Sequence, residues 1–313
     1  MLLIAPAAAS RIHLLRSRRV GGGGGGGGAP PTFAVGVDAL TGPQLRSLSS
    51  SFSCACSPLP SPGDDGKDGA PNLFDESSIL SPVIPWEVDD IWRTYAGYFF
   101  IVHMPLSFGG LGVVAKVLNC SSLNPMTTVI STITLQLVEL TLALSLLQYT
   151  AIPGHDVQAY FVGKVSTQRN WINAAVLGFG LLMTLVLITS IVADKLIGPE
   201  DAYDPTLKDI LSDSPTSKLL CFVLYSVVAP LSEETIYRGF LLTALSSSMK
   251  MRDAIMISSL VFSVAHLSGA SFIQLFVVGC ITGLAYCRTG TLVSSFTIHS
   301  LYNAAILFMA LLS

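Results

Sequence analysis

Charge is what this chain has least of. Only 12% of its 313 residues are Asp, Glu, Lys or Arg, whereas a soluble domain carries roughly a quarter. Hydrophobic residues make up 51%. Too few charges remain to cover a water-facing surface, which excludes an ordinary soluble domain and leaves most of the surface to face lipid. The net charge of −3 is small. With no basic stripe and no zinc-finger spacing, no nucleic acid partner is expected. The six cysteines, Cys54, Cys56, Cys120, Cys221, Cys280 and Cys287, contain no C-x-x-C pair, and the last four lie in or beside apolar segments. They read as small packing residues without a disulfide framework.

Acid is missing from residues 1 to 37, which do contain Arg11, Arg16, Arg18 and Arg19. A run of glycines from Gly21 to Gly28 follows, then a serine-rich stretch around Ser47, Ser49, Ser50, Ser51 and Ser53. Such a segment cannot bury a core, and it reads as an organelle transit peptide over 1–56. The arginines follow the short apolar opening instead of preceding it, which argues against a secretory signal. The serine richness and Ser53-Cys54-Ala55-Cys56 favour a chloroplast destination, with the mitochondrion as runner-up. Residues 57–88, rich in Pro, Asp, Gly and Ser, read as a disordered, solvated linker.

Apolar runs then appear at about 96–117, 126–152, 171–193, 217–231, 234–248, 253–267, 271–287 and 291–312. A helix needs about 20 apolar residues to cross roughly 30 Å of hydrocarbon. The middle runs are short and read as partial or sheltered spans. The expected fold is all-α, a polytopic transmembrane helical bundle of about eight helices in a lipid bilayer. Trp86, Trp92, Tyr95 and Tyr98 precede the first run, as interfacial aromatics do. His103 with Pro105 reads as a kink with a hydrogen-bonded imidazole. An acidic solvated loop, 201–216, divides N-terminal helices (89–200) from a C-terminal group (217–313). The loop lysines and arginines fall on opposite faces and set no orientation.

Nine residues of the Asp, Glu, Lys, Arg and His types lie between Leu219 and Ser313. Lys250, Arg252, Asp253 and Arg288 sit at helix ends or turns. Glu233, Glu234, Arg238, His266 and His299 sit within apolar helices, where a charge costs about 2.5–3.5 kcal/mol on insertion scales. Five scattered charges would be hard to stabilise, so they are expected to converge on one another or on a hydrated cavity. Pro230-Leu231-Ser232-Glu233-Glu234 reads as a helix start with Ser232 as cap and the glutamates at the positive end of the dipole. Glu234 and Arg238 share a face at i, i+4, and Glu233 is turned about 100° away. Phe262 lies one turn from His266, and His299 one turn from Asn303.

Glu233-Glu234-x-x-x-Arg238, Phe262-x-x-x-His266 and His299-x-x-x-Asn303, in that order, resemble the motif set of the CAAX prenyl endopeptidase and bacterial Abi-type family. The likeness covers 217–313, and with the leader it suggests a plant organellar-type member. The resemblance implies an intramembrane endopeptidase that hydrolyses a peptide bond of a membrane-associated protein. Glu233 would be the general base on a water held by His266, and His299 and Asn303 would face the developing oxyanion. Glu234 and Arg238 would form a supporting ion pair, with Phe262 beside them. It also implies a metal-free site without cofactor, although two histidines and two glutamates are a possible divalent-metal set.

No G-x-S-G serine, H-E-x-x-H zinc or G-x-G-D aspartate motif offers another proteolytic chemistry. No inverted repeat points to a transporter. The main alternative is a non-proteolytic membrane scaffold or regulator that keeps the fold.

Overall fold

The computed structural model describes residues 80, 84–165, 171–196, 205–269 and 271–312. The transit peptide expected over 1–56 and most of the linker expected over 57–88 lie outside these. Among the described residues there are nine helices and no strand: α1 (Val88–Val117), α2 (Pro125–Thr150), α3 (Val157–Val165), α4 (Trp171–Leu196), α5 (Pro205–Ser212), α6 (Pro215–Ser246), α7 (Met251–Ala265), α8 (Phe272–Thr289) and α9 (Leu292–Leu312). Six of them, α1, α2, α4, α6, α8 and α9, are long and apolar enough to cross a membrane. The protein is an all-α, multi-pass membrane protein.

Local chemistry explains the helix starts. Asn124 accepts the Thr127 N–H ahead of Pro125, and Ser214 accepts the Ser217 N–H ahead of Pro215. Each is an N-cap followed by a proline at the first helical position, where no N–H is needed. α8 ends at Gly290, whose φ of 68° lies in the left-handed region that favours a residue without a Cβ.

Two expected helices prove to be one. The runs at 217–231 and 234–248 are joined in α6, so Ser232 caps nothing, and its hydroxyl instead donates to Val228 O within the helix. The glutamates therefore sit mid-helix, far from the positive end of the dipole. Pro230 does not break α6 because the chain widens into i→i−5 turns on both sides of it, over Leu224–Val228 and Thr235–Leu242. α1 does the same around Pro105, with wide turns at Tyr98–His103 and Pro105–Gly109.

The edges of the first run and of the acidic loop also differ from expectation. Ile84 and Trp86, expected in the solvated linker, are buried. The Trp86 indole donates to Leu147 O at 2.9 Å and meets the Phe240 ring edge-on at 4.8 Å. Trp86 is therefore a core anchor, not an interfacial aromatic. Within the expected acidic loop, α5 turns Leu207, Ile210 and Leu211 inward against Cys221 and Leu224 of α6 and Val129 of α2.

α6 is the central element. Over half of its apolar window is buried (56%), against 17% for α4, whose outer face is left to lipid. α7 is only about 22 Å long at 1.5 Å per residue, too short to cross, and it ends at His266 inside the bundle beside α6 and α8. The close approach of α7 and α8 depends on Gly279, where a Cβ would lie 2.9 Å from the Ser259 backbone.

Candidate active site

Glu234 and Arg238 form the ion pair their spacing suggests. Arg238 Nη1 lies 3.0 Å from Glu234 Oε1, with both side chains almost wholly buried. Arg238 Nη2 also donates to Gly279 O at 3.4 Å, and the guanidinium stacks 4.6 Å over the Phe262 ring. Phe262 thus serves two neighbours, because the His266 ring meets it edge-on at 4.6 Å. The pair is only partly matched, because Glu234 Oε2 and Arg238 Nε are buried without a hydrogen-bond partner.

Glu233 faces the other way, toward the two histidines, and the partners of each imidazole fix its tautomer. His266 Nδ1 lies 2.7 Å from Phe262 O. A carbonyl only accepts, so Nδ1 carries the hydrogen and Nε2 presents a lone pair. His299 Nδ1 lies 2.8 Å from Glu234 Oε1, a carboxylate oxygen shared with Arg238, so here too Nδ1 donates. The two Nε2 atoms point at the same oxygen, Glu233 Oε2, from 3.8 Å (His266) and 3.6 Å (His299). These distances exceed those of direct hydrogen bonds. The two imidazole nitrogens and the carboxylate thus face one another around one point, where a water beside them could reach more than one of the three.

Asn303 does not join this point. Its amide donates to Tyr225 O at 2.9 Å. The setting is local: in the wide turn the Ala229 N–H reaches back to Leu224 O, and Pro230 has no N–H. Beside this wide turn, α9 supplies a donor to the Tyr225 carbonyl. The resemblance implies that His299 and Asn303 face the same oxyanion; here, one turn apart on α9, they contact different parts of α6, Glu234 and Tyr225.

Residues 215–305 match the family model described as Type II CAAX prenyl endopeptidase Rce1-like. The C-terminal segment is thus similar to CAAX-protease-family domains. A curated relative, the membrane-embedded CAAX protease MroQ of Staphylococcus aureus (strain USA300), is 32% identical over 146 residues, covering 44% of this chain and 58% of the relative. The chain thus aligns with little more than half of that protein's length. No solved structure matches. Within the matched segment, Glu233, Glu234, Arg238, Phe262, His266 and His299 share one cluster built from α6, α7 and α9. Among the described residues no group of three or more His, Cys, Asp or Glu side chains could hold a metal ion.

The N-terminal helices hold a polar cluster that sequence reasoning missed. Glu139, in the middle of α2, is buried and accepts from Tyr98 Oη and Ser107 Oγ at 2.8 Å each, while His103 Nδ1 lies 2.6 Å away. The signal was present: Glu139 is the one acid in the run 126–152, and a carboxylate at membrane depth needs a named partner. The imidazole expected at His103 to be hydrogen-bonded is that partner.

Proposed function

We propose that the protein is an intramembrane endopeptidase in which Glu233 activates water to hydrolyse a peptide bond of a membrane-associated protein. The observation that carries this reading is the convergence of Glu233 Oε2 with the Nε2 atoms of His266 and His299. A water there donates to the carboxylate and to an imidazole, which leaves an oxygen lone pair directed outward. As that oxygen attacks the peptide carbonyl carbon, Glu233 takes a water proton. The tetrahedral intermediate then collapses with cleavage of the C–N bond, and the proton passes from Glu233 to the departing nitrogen, so that an acid and an amine are released. Held near α6 by Glu234, His299 keeps its Nε2 aimed at the reacting centre. The match of residues 215–305 to a protease family supports the same chemistry.

The family resemblance assigns His299 and Asn303 to the oxyanion, a role His299 fills only with a hydrogen on Nε2, since its Nδ1 is held by Glu234. A specific observation favours a second role for Asn303, that of positioning α6 through Tyr225 O. Hydrolysis by this route uses no metal. The acid-poor, serine-rich leader supports residence in a chloroplast membrane, with a mitochondrial membrane as the alternative.

The test compares the native protein with Glu233→Ala in liposomes carrying organelle membrane proteins, with new peptide termini read by mass spectrometry. Termini made by the native protein and absent with the variant are expected. Identical fragments from both, with the same partners retained in a binding assay, would overturn hydrolysis in favour of a scaffold.

A further inference from the structure

The two glutamates look onto different spaces. Between α2, α3, α6 and α9 lies a cavity of about 1050 Å³, lined by apolar side chains such as Leu144, Phe161 and Phe296 together with polar ones that include Gln148, Asp156 and Gln158. Its volume is at the upper end for a ligand site, roughly 300–1000 Å³. Glu234 forms part of its wall; Glu233 does not. Glu234 is 1% exposed, and its Oε1 is taken by His299 and Arg238, but its Oε2 is buried without a hydrogen-bond partner. A buried carboxylate oxygen left unsatisfied is costly, and as an acceptor it selects a ligand that brings a donor.

That requirement discriminates between occupants available in a membrane. An acyl chain suits the apolar wall but ends in a methyl group and offers Glu234 nothing. An extended polypeptide offers apolar side chains and a backbone N–H at every residue other than proline. The α2 wall from Leu140 to Gln148 extends about 12 Å at 1.5 Å per residue, room for roughly four extended residues at about 3.3 Å each. The His299 ring joins the two glutamates, Nδ1 on Glu234 and Nε2 toward Glu233. A chain seated on Glu234 is therefore one imidazole away from the proposed base.

We infer that this cavity is the subsite for an apolar stretch of substrate polypeptide beside the scissile bond, with a backbone N–H donating to Glu234 Oε2. Its assignment to substrate rests on the hydrolytic reading above, but occupancy by an apolar peptide does not. The experiment uses the full chain carrying Glu233→Ala in lipid nanodiscs, so that binding is read without cleavage. The probes are a dansylated Leu-Ala-Leu-Ala-Leu-Ala peptide, its backbone N-methylated twin and dansyl-undecanoate. Saturable binding of the peptide is expected, with the N-methylated twin weaker by about tenfold or more. Ser145→Trp on α2 and Val293→Trp on α9, which fill the cavity from opposite sides, should weaken the peptide by a similar factor. Three results would overturn the inference: no saturable peptide binding, equal binding of the N-methylated twin, or undecanoate competing as well as the peptide. The twin is compared on the same protein, so the result stands even if a tryptophan variant fails to fold. If the peptide binds as expected while Glu233→Ala leaves cleavage intact in the liposome assay, the hydrolytic reading alone fails.

Discussion

The protein buries two polar clusters of similar composition, and they are built to opposite ends. In the N-terminal helices, Glu139 is saturated by direct contacts of 2.6–2.8 Å from Tyr98, His103 and Ser107. In the C-terminal domain, Glu233 is approached only at 3.6 and 3.8 Å, by two imidazole Nε2 atoms, and Glu234 Oε2 has no hydrogen-bond partner. Short bonds fill the Glu139 carboxylate and join two helices, and only His103 Nε2 in this closed cluster is left without a hydrogen-bond partner. An open cluster with surplus acceptors can take in a donor from outside, a water or a substrate N–H. The difference separates structural polarity from chemistry where residue types alone do not, since each cluster contains glutamate and histidine.

The sharpest break in that comparison is Glu233→Gln. It keeps shape and volume but removes the base, and it should lower cleavage by roughly 10²–10⁴-fold. Thermal unfolding in detergent should barely change, because the native carboxylate makes no direct hydrogen bond to lose. A large fall in melting temperature would show that Glu233 belongs with the closed type. Next in size is Arg238→Ala. It leaves Glu234 buried with one cation fewer and strips the stack from Phe262, a loss expected to cost about 3–5 kcal/mol, visible as poor recovery of folded protein. Were Arg238→Ala to stay fully stable while losing activity, the pair would be part of the chemistry and not its support.

Glu139→Gln tests the other cluster. The amide still accepts from Tyr98 or Ser107 but loses the strength of bonds to a charged group, worth about 1.5–3 kcal/mol. Stability should fall by that order, with the rate per folded molecule unchanged. A pronounced drop in rate at normal stability would mean that the N-terminal cluster communicates with Glu233, and the contrast drawn above would collapse.

What could be read in the sequence followed from period and cost. The spacing of Glu234 and Arg238, and of Phe262 and His266, placed each pair on one helical face, and the price of charge in hydrocarbon required the five residues to meet. What could not be read were exceptions to regular helix geometry. Pro230 seemed to open a helix because proline and a following serine usually do; in α6 the wide turns absorb it. Leu207, Ile210 and Leu211 of α5 were hidden among acids, and whether Trp86 faces an interface or a core depends on α2 lying beside it. Asn303 was read with His299 because they share a face, but its partner is a carbonyl of the wide turn.

The smallest expected effect decides the role of Asn303. Asn303→Ala removes the donor to Tyr225 O. The loss of one hydrogen bond to a neutral carbonyl should cost about 1 kcal/mol. If positioning α6 is its whole contribution, cleavage measured well below the melting transition should fall little, and any loss should follow the fraction unfolded. An oxyanion donor predicts the reverse pattern, a fall of roughly 10²–10³ in rate with unfolding almost unchanged. That result would also require the amide to leave Tyr225 when substrate binds. Asn303→Asp separates the two further: it abolishes donation in both roles but adds a charge beside a carbonyl dipole, which should destabilise the fold more than alanine does if the Tyr225 contact persists through the reaction.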